Sequence, residues 1–451
     1  MGSGTNRLFQ RPGRPADILI KNAHVLDPRA DLDEPHDVLV RAGRIAELGS
    51  PGSLPSADNG ETLDAAGRHL LPGFVDPHVH LRTPGQEHKE DIDTGTAAAA
   101  AGGFCAVIAM PNTDPVLDDA TIMRSQADAA TRQAHVSVGF LAAVTRELAG
   151  RELTEMAELR DAGALGFTDD GKPVVSAGTL RTALQYQRLC GGVIALHEED
   201  PDLSRDGAMH EGAVSARLGI AGIPSLSEST MVARDAALAL YEDARVHFQH
   251  LSCVESVEAL RHANQAGARV SAEVCPHHLT LTDDVVRTLD SRFKMNPPLR
   301  AESDRRALVE ALRTGLIDCV ATDHAPHARE EKEVPFEEAP MGTTGLETAF
   351  AALHTDLVLS GELELATLVE RMTAGAALFG LPVPTIATGQ AANLCLVDLE
   401  TRFEVGADGY ASRSSNCCFH GRMLQGRVLL TLAAGRVAFR TRMLAEAPAV
   451  R

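Results

Sequence analysis

With 451 residues, 44% hydrophobic and 23% charged, the chain is long enough for a large barrel or sheet plus a smaller satellite, and two domains are expected. A formal net charge of −20 argues against a nucleic-acid partner, which demands a cationic face, and no apolar run is long enough to cross a bilayer, so no membrane partner is expected. An anionic substrate would have to be met by strong local positive charge, from metal ions or a well-placed arginine.

The opening residues, MGSGTNRLFQRPGRP, are not followed by an apolar segment and read as a frayed tail, not as a secretory signal. Up to residue 68 the chain then holds short alternating segments, ADILIKNAHVLD, DVLVRAGRIAELG and ETLDAAGRHL, separated by turn residues. Similar segments return in ANLCLVDLE and GRVLLTLAAGRVAF, after a Gly-rich joint near TIATGQAA. Residues 1–68 and 386–451 are therefore expected to pair into one small β-sandwich domain around a catalytic domain at 69–385. The eight cysteines are scattered, mostly inside apolar runs such as FCAVIAM, and only Cys417 and Cys418 are close together. Reduced thiols and a cytoplasmic location are the expectation.

Between the two ends, short apolar strands alternate with longer Ala-rich or Leu-rich helical stretches. The candidate strands are GFVDPHV, FCAVIAM, VSVGFLAAV, ALGFTDD, GVIALHEED, VHFQHLS, RVSAEVCP and IDCVATDH. Eight such segments predict an α/β fold of the closed (β/α)8 TIM-barrel type. An open doubly wound sheet is disfavoured, because no glycine-rich dinucleotide turn follows an early strand.

The strand ends carry residues that hydrophobic periodicity does not require. The first places His78 and His80 two apart, so both imidazoles leave an extended chain on one side, followed by Arg82. The fourth ends in Asp169 and Asp170, the fifth in His197, the sixth in His250 and the eighth in Asp323. In a barrel these ends converge on one mouth. Any one of these histidines alone would more often be a satisfied core residue, but five such ends together point to a binuclear metal site. Imidazole with carboxylate suits zinc first.

The motifs DPHVHLRTPGQEHKEDIDTG, AMPNTDPV, GFTDDGKPV, HEED, HLS, EVCPHHL, KMNPPLR and ATDHAPH, in this order, closely resemble those of the zinc-dependent amidohydrolase superfamily and, within it, the bacterial type I dihydroorotases. The resemblance covers essentially the whole chain. It implies two Zn2+ per subunit, with His78, His80 and Asp323 on one metal, His197 and His250 on the second, and Asp170 bridging. Many relatives bridge with a carbamylated lysine, so Asp169 and Lys172 stay open as alternatives. It further implies that Arg82 and Asn112 bind the substrate carboxylate, with Asn296, His327 and the backbone near Met341 and Gly342 as later contacts. A guanidinium suits that task through two parallel charge-assisted hydrogen bonds. The plain alternatives are an ion pair of Arg82 with Glu87 or Glu90, and a turn-forming role for Asn112.

The implied activity is the reversible cyclisation of N-carbamoyl-L-aspartate to L-dihydroorotate in pyrimidine biosynthesis, by a metal-activated hydroxide with Asp323 as catalytic proton shuttle. Rival readings are a cyclic amidohydrolase of the allantoinase or hydantoinase type, and an inactive homologue serving as structural partner of aspartate transcarbamoylase. An association with that transcarbamoylase, and a homodimer, are compatible with activity. His277 and His278 are read as structural, Lys294 as lying in an exposed loop, EHKEDID as the solvated start of a helix, and residues 328–340 as a partial cover over the mouth.

Overall fold

The computed structural model describes residues 8–55 and 60–445, and the first seven residues of the expected tail lie outside this range. From Leu8 onward the tail is not frayed. Phe9 exchanges two backbone hydrogen bonds of 2.8 Å with Val138, and its ring lies 6.2 Å from that of Phe140.

Five strands come first: β1 (Ile18–Asp27), β2 (Leu32–Arg41), β3 (Arg44–Gly49), β4 (Glu61–Asp64) and β5 (His69–Pro72). The chain continues into β6 (Phe74–Val79), β7 (Phe104–Ala109), β8 (Ser137–Ala142), β9 (Gly166–Thr168) and β10 (Ile194–Leu196). A short parallel pair follows, β11 (Met209–His210) with β12 (Gly222–Ile223). After it come β13 (Val246–Phe248), β14 (Val270–Val274) and β15 (Cys319–Val320), and the chain ends in β16 (Leu394–Glu404), β17 (Met423–Ala433) and β18 (Arg436–Arg440).

All eight expected barrel strands form, in the order β15-β14-β13-β10-β9-β8-β7-β6 with parallel pairing. The ring closes where Val79 bridges His324 and the His80 N–H donates to the His324 carbonyl at 2.9 Å. Strands covered on both faces read as continuous apolar runs, and every residue of β7 and β8 is buried. Three of the crossover helices begin where a short polar side chain accepts from the first turn: Asp91 from Thr94 N, Asp119 from Thr121 N and Ser176 from Thr179 N.

The two chain ends share one sheet, ordered β18-β17-β16-β5-β1-β2-β3 with β4 also paired to β1. The joint is the antiparallel pair β5–β16, Leu394 opposite Pro72 and Leu396 opposite Leu70, so the sheet includes His69–Pro72. Its period of two separates two cores. Leu394 and Leu396 pack with Ile18, Ile20, Val38 and Leu430, whereas Cys395 and Val397 face the barrel core. Between β16 and β17, residues 405–422 leave this sheet, and Val405, Cys417, Cys418 and Phe419 pack with Met295, Leu299 and Phe336 beside the barrel mouth.

Candidate active site

The strand ends bring the candidate ligands together. His78 lies in β6 and His80 just after it, Asp170 two residues past β9, His197 directly after β10, His250 two residues past β13 and Asp323 three past β15. Asp170 is the hub: its carboxylate oxygens lie 3.3 Å from His78 Nε2, 3.5 Å from His80 Nε2, 3.9 Å from His197 Nδ1 and 3.8 Å from His250 Nε2. Asp323 Oδ1 lies 2.9 Å from His80 Nε2 and 3.5 Å from His78 Nε2. Two subsets have ligand atoms spaced for one ion, His78-His80-Asp323 and His78-Asp170-His250. His197 Nδ1 faces His250 Nε2 at 3.0 Å.

The donor chemistry fits a cation between these groups. Glu273 Oε1 accepts from His78 Nδ1 at 2.7 Å, and Asn112 Oδ1 accepts from His80 Nδ1 at 2.9 Å. With those protons committed, both Nε2 lone pairs face the carboxylates of Asp170 and Asp323, an all-acceptor arrangement that needs positive charge at its centre. His78 Nε2 is buried without a hydrogen-bond partner. Burial opposes every charge here, yet the negative Asp170 and Glu273 hold His78 well above the usual imidazole range. In turn, burial is outweighed by His78 and His250 in holding Asp170 well below the usual carboxylate range.

The alternatives for the hub are placed elsewhere. Asp169 turns back into the scaffold, where Oδ1 accepts from Val144 N at 2.8 Å and Thr145 N at 3.0 Å and Oδ2 accepts from the Thr145 hydroxyl. Lys172 is exposed.

Three site residues that are not glycine have backbone in the left-handed region: Arg82 at φ 57°, His250 at 32° and Asp323 at 45°. Such conformations are costly, and the surroundings must impose them. Gly85 shows how the loop bearing Arg82 is set. Its φ is +92°, and a Cβ there would sit 1.9 Å from the Asp114 carbonyl oxygen, so only glycine lets this loop close on the loop bearing Asn112.

A cavity of about 250 Å³ opens over the cluster, lined by His80, Asp170, His197, His250 and Asp323 together with Arg82, Asn112, Asn296, His327, Met341 and Gly342. All six candidate substrate contacts thus share one cavity with five of the six candidate ligands, and His78 lies beneath. Arg82 makes no ion pair with Glu87 or Glu90; its Nε donates to the Pro326 carbonyl at 3.2 Å. Asn112 does not merely shape a turn, because its Nδ2 donates to Asp170 Oδ2 at 3.2 Å. His327 donates from Nε2 to the Met341 carbonyl at 2.9 Å, and burial with the nearby Arg82 charge pushes its pKa down to about 3.

Several residues here escaped sequence reasoning. Glu273 holds His78 on one oxygen and His247 on the other at 3.0 Å, and although burial opposes ionisation, His78 and His247 draw its pKa down to about 2. Its signal was a lone carboxylate inside the apolar run VSAEV. Glu199 Oε2 binds His197 Nε2 at 3.1 Å and accepts from Asn296 Nδ2 at 2.6 Å. Two expectations are corrected. Lys294 is buried, its Nζ donating to the Glu337 carbonyl at 2.8 Å, because the loop folds under Phe336. Glu90 of EHKEDID is also buried, accepting from Thr94 and Ser412 hydroxyls. His278 has a structural bond, from Nε2 to the Pro297 carbonyl at 3.0 Å, whereas His277 Nε2 is buried without a partner and Cys275, His277 and His278 have ligand atoms spaced for one ion. Residues 328–340 border the mouth but are anchored, with Phe336 and Ala339 buried and Lys332 Nζ donating to the Pro340 carbonyl at 2.8 Å.

A closed parallel barrel with histidines and aspartates converging at its strand ends, beside a sheet made from both chain ends, defines the amidohydrolase class. In structure the chain is similar to L-hydantoinase (dihydropyrimidinase) from Arthrobacter aurescens, with a TM-score of 0.84 and 28% identity over 94% of this chain and 96% of that one. A family model described as "Dihydro-orotase-like" matches residues 67–259. In sequence it is 44% identical to the dihydroorotase of Pelotomaculum thermopropionicum over 95% of this chain and 99% of that protein. It is 43% identical to the dihydroorotase of Wolbachia sp. subsp. Drosophila simulans over 94% of this chain and 95% of that protein. The chain belongs to the dihydroorotase family of cyclic amidohydrolases.

Proposed function

We propose that this chain interconverts N-carbamoyl-L-aspartate and L-dihydroorotate in the pathway to pyrimidine nucleotides. The observation that carries the reading is the shared cavity, in which a buried arginine and two asparagines face the His/Asp cluster.

His78, His80 and Asp323 would hold one divalent ion and His197 and His250 the second, with Asp170 between them; zinc, two per subunit, is the proposed occupant. Bound there, such ions supply Lewis acidity and lower the pKa of water toward about 7. The protein's own residues do the rest. Arg82 and Asn112 grip the substrate's α-carboxylate beside His327, whose protonated, donating form that negative charge favours, the Met341–Gly342 backbone and Asn296 hold the polar edge of the ring, and the ring amide is thereby presented to Asp323. In ring opening, Asp323 Oδ1 takes a proton from the attacking water and returns it to the departing ring nitrogen. Ring closure is the reverse: the ureido nitrogen forms a C–N bond to the side-chain carboxyl carbon, a C–O bond breaks and water leaves. A dianion becomes a monoanion, so closure consumes one proton and is favoured as pH falls.

Turnover of L-dihydroorotate, hydantoin and allantoin by the purified protein tests the reading. Activity on dihydroorotate alone is expected; turnover of hydantoin with dihydroorotate inert would replace it with the hydantoinase reading. Metal analysis should find two zinc ions per subunit, and chelation should abolish the activity.

We further propose a homodimer, association with an aspartate transcarbamoylase, and residence in the cytoplasm. The eight free cysteines suit a reducing compartment, and co-elution of the two enzymes tests the association.

A further inference from the structure

The candidate substrate contacts at the last barrel strand sit on two loops, one bearing His327 and the other Met341 and Gly342. Besides the direct bond from His327 Nε2 to the Met341 carbonyl, both loops are tied to a third place, the segment 405–422 between β16 and β17. Asn416 lies there, 5% exposed, and is not among the residues lining the cavity over the cluster. Its Oδ1 accepts from His327 N at 3.1 Å, and its Nδ2 donates to the carbonyls of Ala325 and Gly342, each at 3.1 Å. Its own carbonyl accepts from Thr344 N at 3.2 Å and from the Thr343 hydroxyl at 3.1 Å. One residue therefore bonds to both loops at five points.

We propose that Asn416 is a positioning residue for the substrate-carboxylate end of the site, its carboxamide setting the spacing of the His327 and Met341–Gly342 loops. This rests on the dihydroorotase reading given above.

The chemistry requires an amide in one orientation. Both Nδ2 hydrogens are spent on carbonyl oxygens and Oδ1 faces an N–H, so a flipped amide would set oxygen against two carbonyls. Aspartate, with the same shape, would do the same with a charge. The tolerance is small, because a Cβ added at Gly342 would lie 2.9 Å from Ala325 Cβ and 3.0 Å from His327 Nε2. Widening the gap withdraws His327 from the carboxylate and the Met341–Gly342 backbone from the polar edge of the ring but moves neither Asp323 nor the histidine cluster. The affected step is substrate grip, not proton transfer. Misplacement of binding groups by about 1 Å costs on the order of 100-fold where they align the reactant.

The experiment compares wild type with Asn416→Asp and Asn416→Ala, measuring KM and kcat for L-dihydroorotate, bound metal, and Ki for 5,6-dihydrouracil, the same ring without the carboxylate. The expected result is a KM raised about 10- to 100-fold, kcat within a few-fold, unchanged metal content and a clearly smaller rise in Ki for dihydrouracil, which meets only the ring-edge loop. A KM equal to wild type, or equal losses for both ligands, overturns the proposal. Should neither variant fold, Thr343→Val, which removes one hydrogen bond to the Asn416 carbonyl, carries the test, with a smaller rise in KM expected and no rise overturning it. A wild type inert toward dihydroorotate fails the reading of function and not this geometry, which the dihydroorotate-active enzyme alone can refute.

Discussion

The two halves of the ligand cluster are braced differently. On the first, His78 is held by Glu273, whose side chain has no exposed surface. His80 is held by Asn112, and its backbone is part of the barrel closure. On the second, His197 is held by Glu199, whose side chain is 20% exposed, and His250 Nδ1 is buried with no hydrogen-bond partner. The first half is thus built into the closure of the barrel, while the second leans on a rim carboxylate that also holds Asn296. In the proposed function, retention of one ion and grip on the substrate share Glu199; they are separate at Glu273.

Asp323 touches the first half and offers the largest effect. Asp323→Asn keeps the shape and removes the proton acceptor, so turnover should fall by about 100- to 10,000-fold; steady-state kinetics at near-normal metal content check it, and full activity would remove the proton shuttle. Next comes Arg82→Met, which should raise KM for dihydroorotate by roughly 100-fold with a smaller change in kcat.

The comparison itself is broken or sharpened by Glu273→Gln against Glu199→Gln. Loss of such a partner costs about 10- to 100-fold in metal affinity or activity. Glu273→Gln should lower metal affinity with KM unchanged in the fully loaded enzyme. Glu199→Gln should weaken the other site and raise KM as well, through Asn296. Metal titration combined with kinetics at saturating zinc separates the two, and identical profiles would end the distinction.

A separate effect, on stability and not on activity, concerns Asp76, which ties β6 to the chain after β15 by accepting from His78 N and Thr322 N, each at 3.1 Å, and from the Thr322 hydroxyl at 2.6 Å. Burial pushes its carboxyl up to about 7. Between the unfolded value near 4 and about 7, the folded state holds the proton that the unfolded state has lost, so Asp76's contribution falls as pH rises, by at most about 1.4 kcal/mol per unit. Asp76→Asn should lack that slope and gain stability relative to wild type from pH 5 to 7. Denaturant titrations across that range measure it, and parallel pH profiles would refute it.

Much of the site was legible because a buried parallel strand has no use for the residues at these ends. His78, His80, Asp170, His197, His250 and Asp323 each follow an apolar run, and all six meet in the folded chain. The two ends of the chain were likewise readable as partners from their alternation. Glu273 was only faintly marked, as one charge in an apolar strand, and Glu199 was lost among the other acids of HEED. Glu90 and Lys294 looked solvated because charged neighbours surround them in sequence, whereas burial depends on what folds over them. Asn416, flanked by Ser415 and Cys417, carried no local signal.

The sequence by itself determined the alternation of strand and helix, the barrel it closes into, and the kinds of donor presented at its mouth, since these follow from periodicity and side-chain chemistry within short windows. Only the tertiary structure decided that Asp170 and not Asp169 faces the histidines, which nitrogen of each imidazole is free, and how far apart the substrate loops stand. Those choices rest on hydrogen bonds to residues distant in the chain, such as His78 to Glu273 across 195 positions and His327 to Asn416 across 89. No local pattern encodes a partner at that remove.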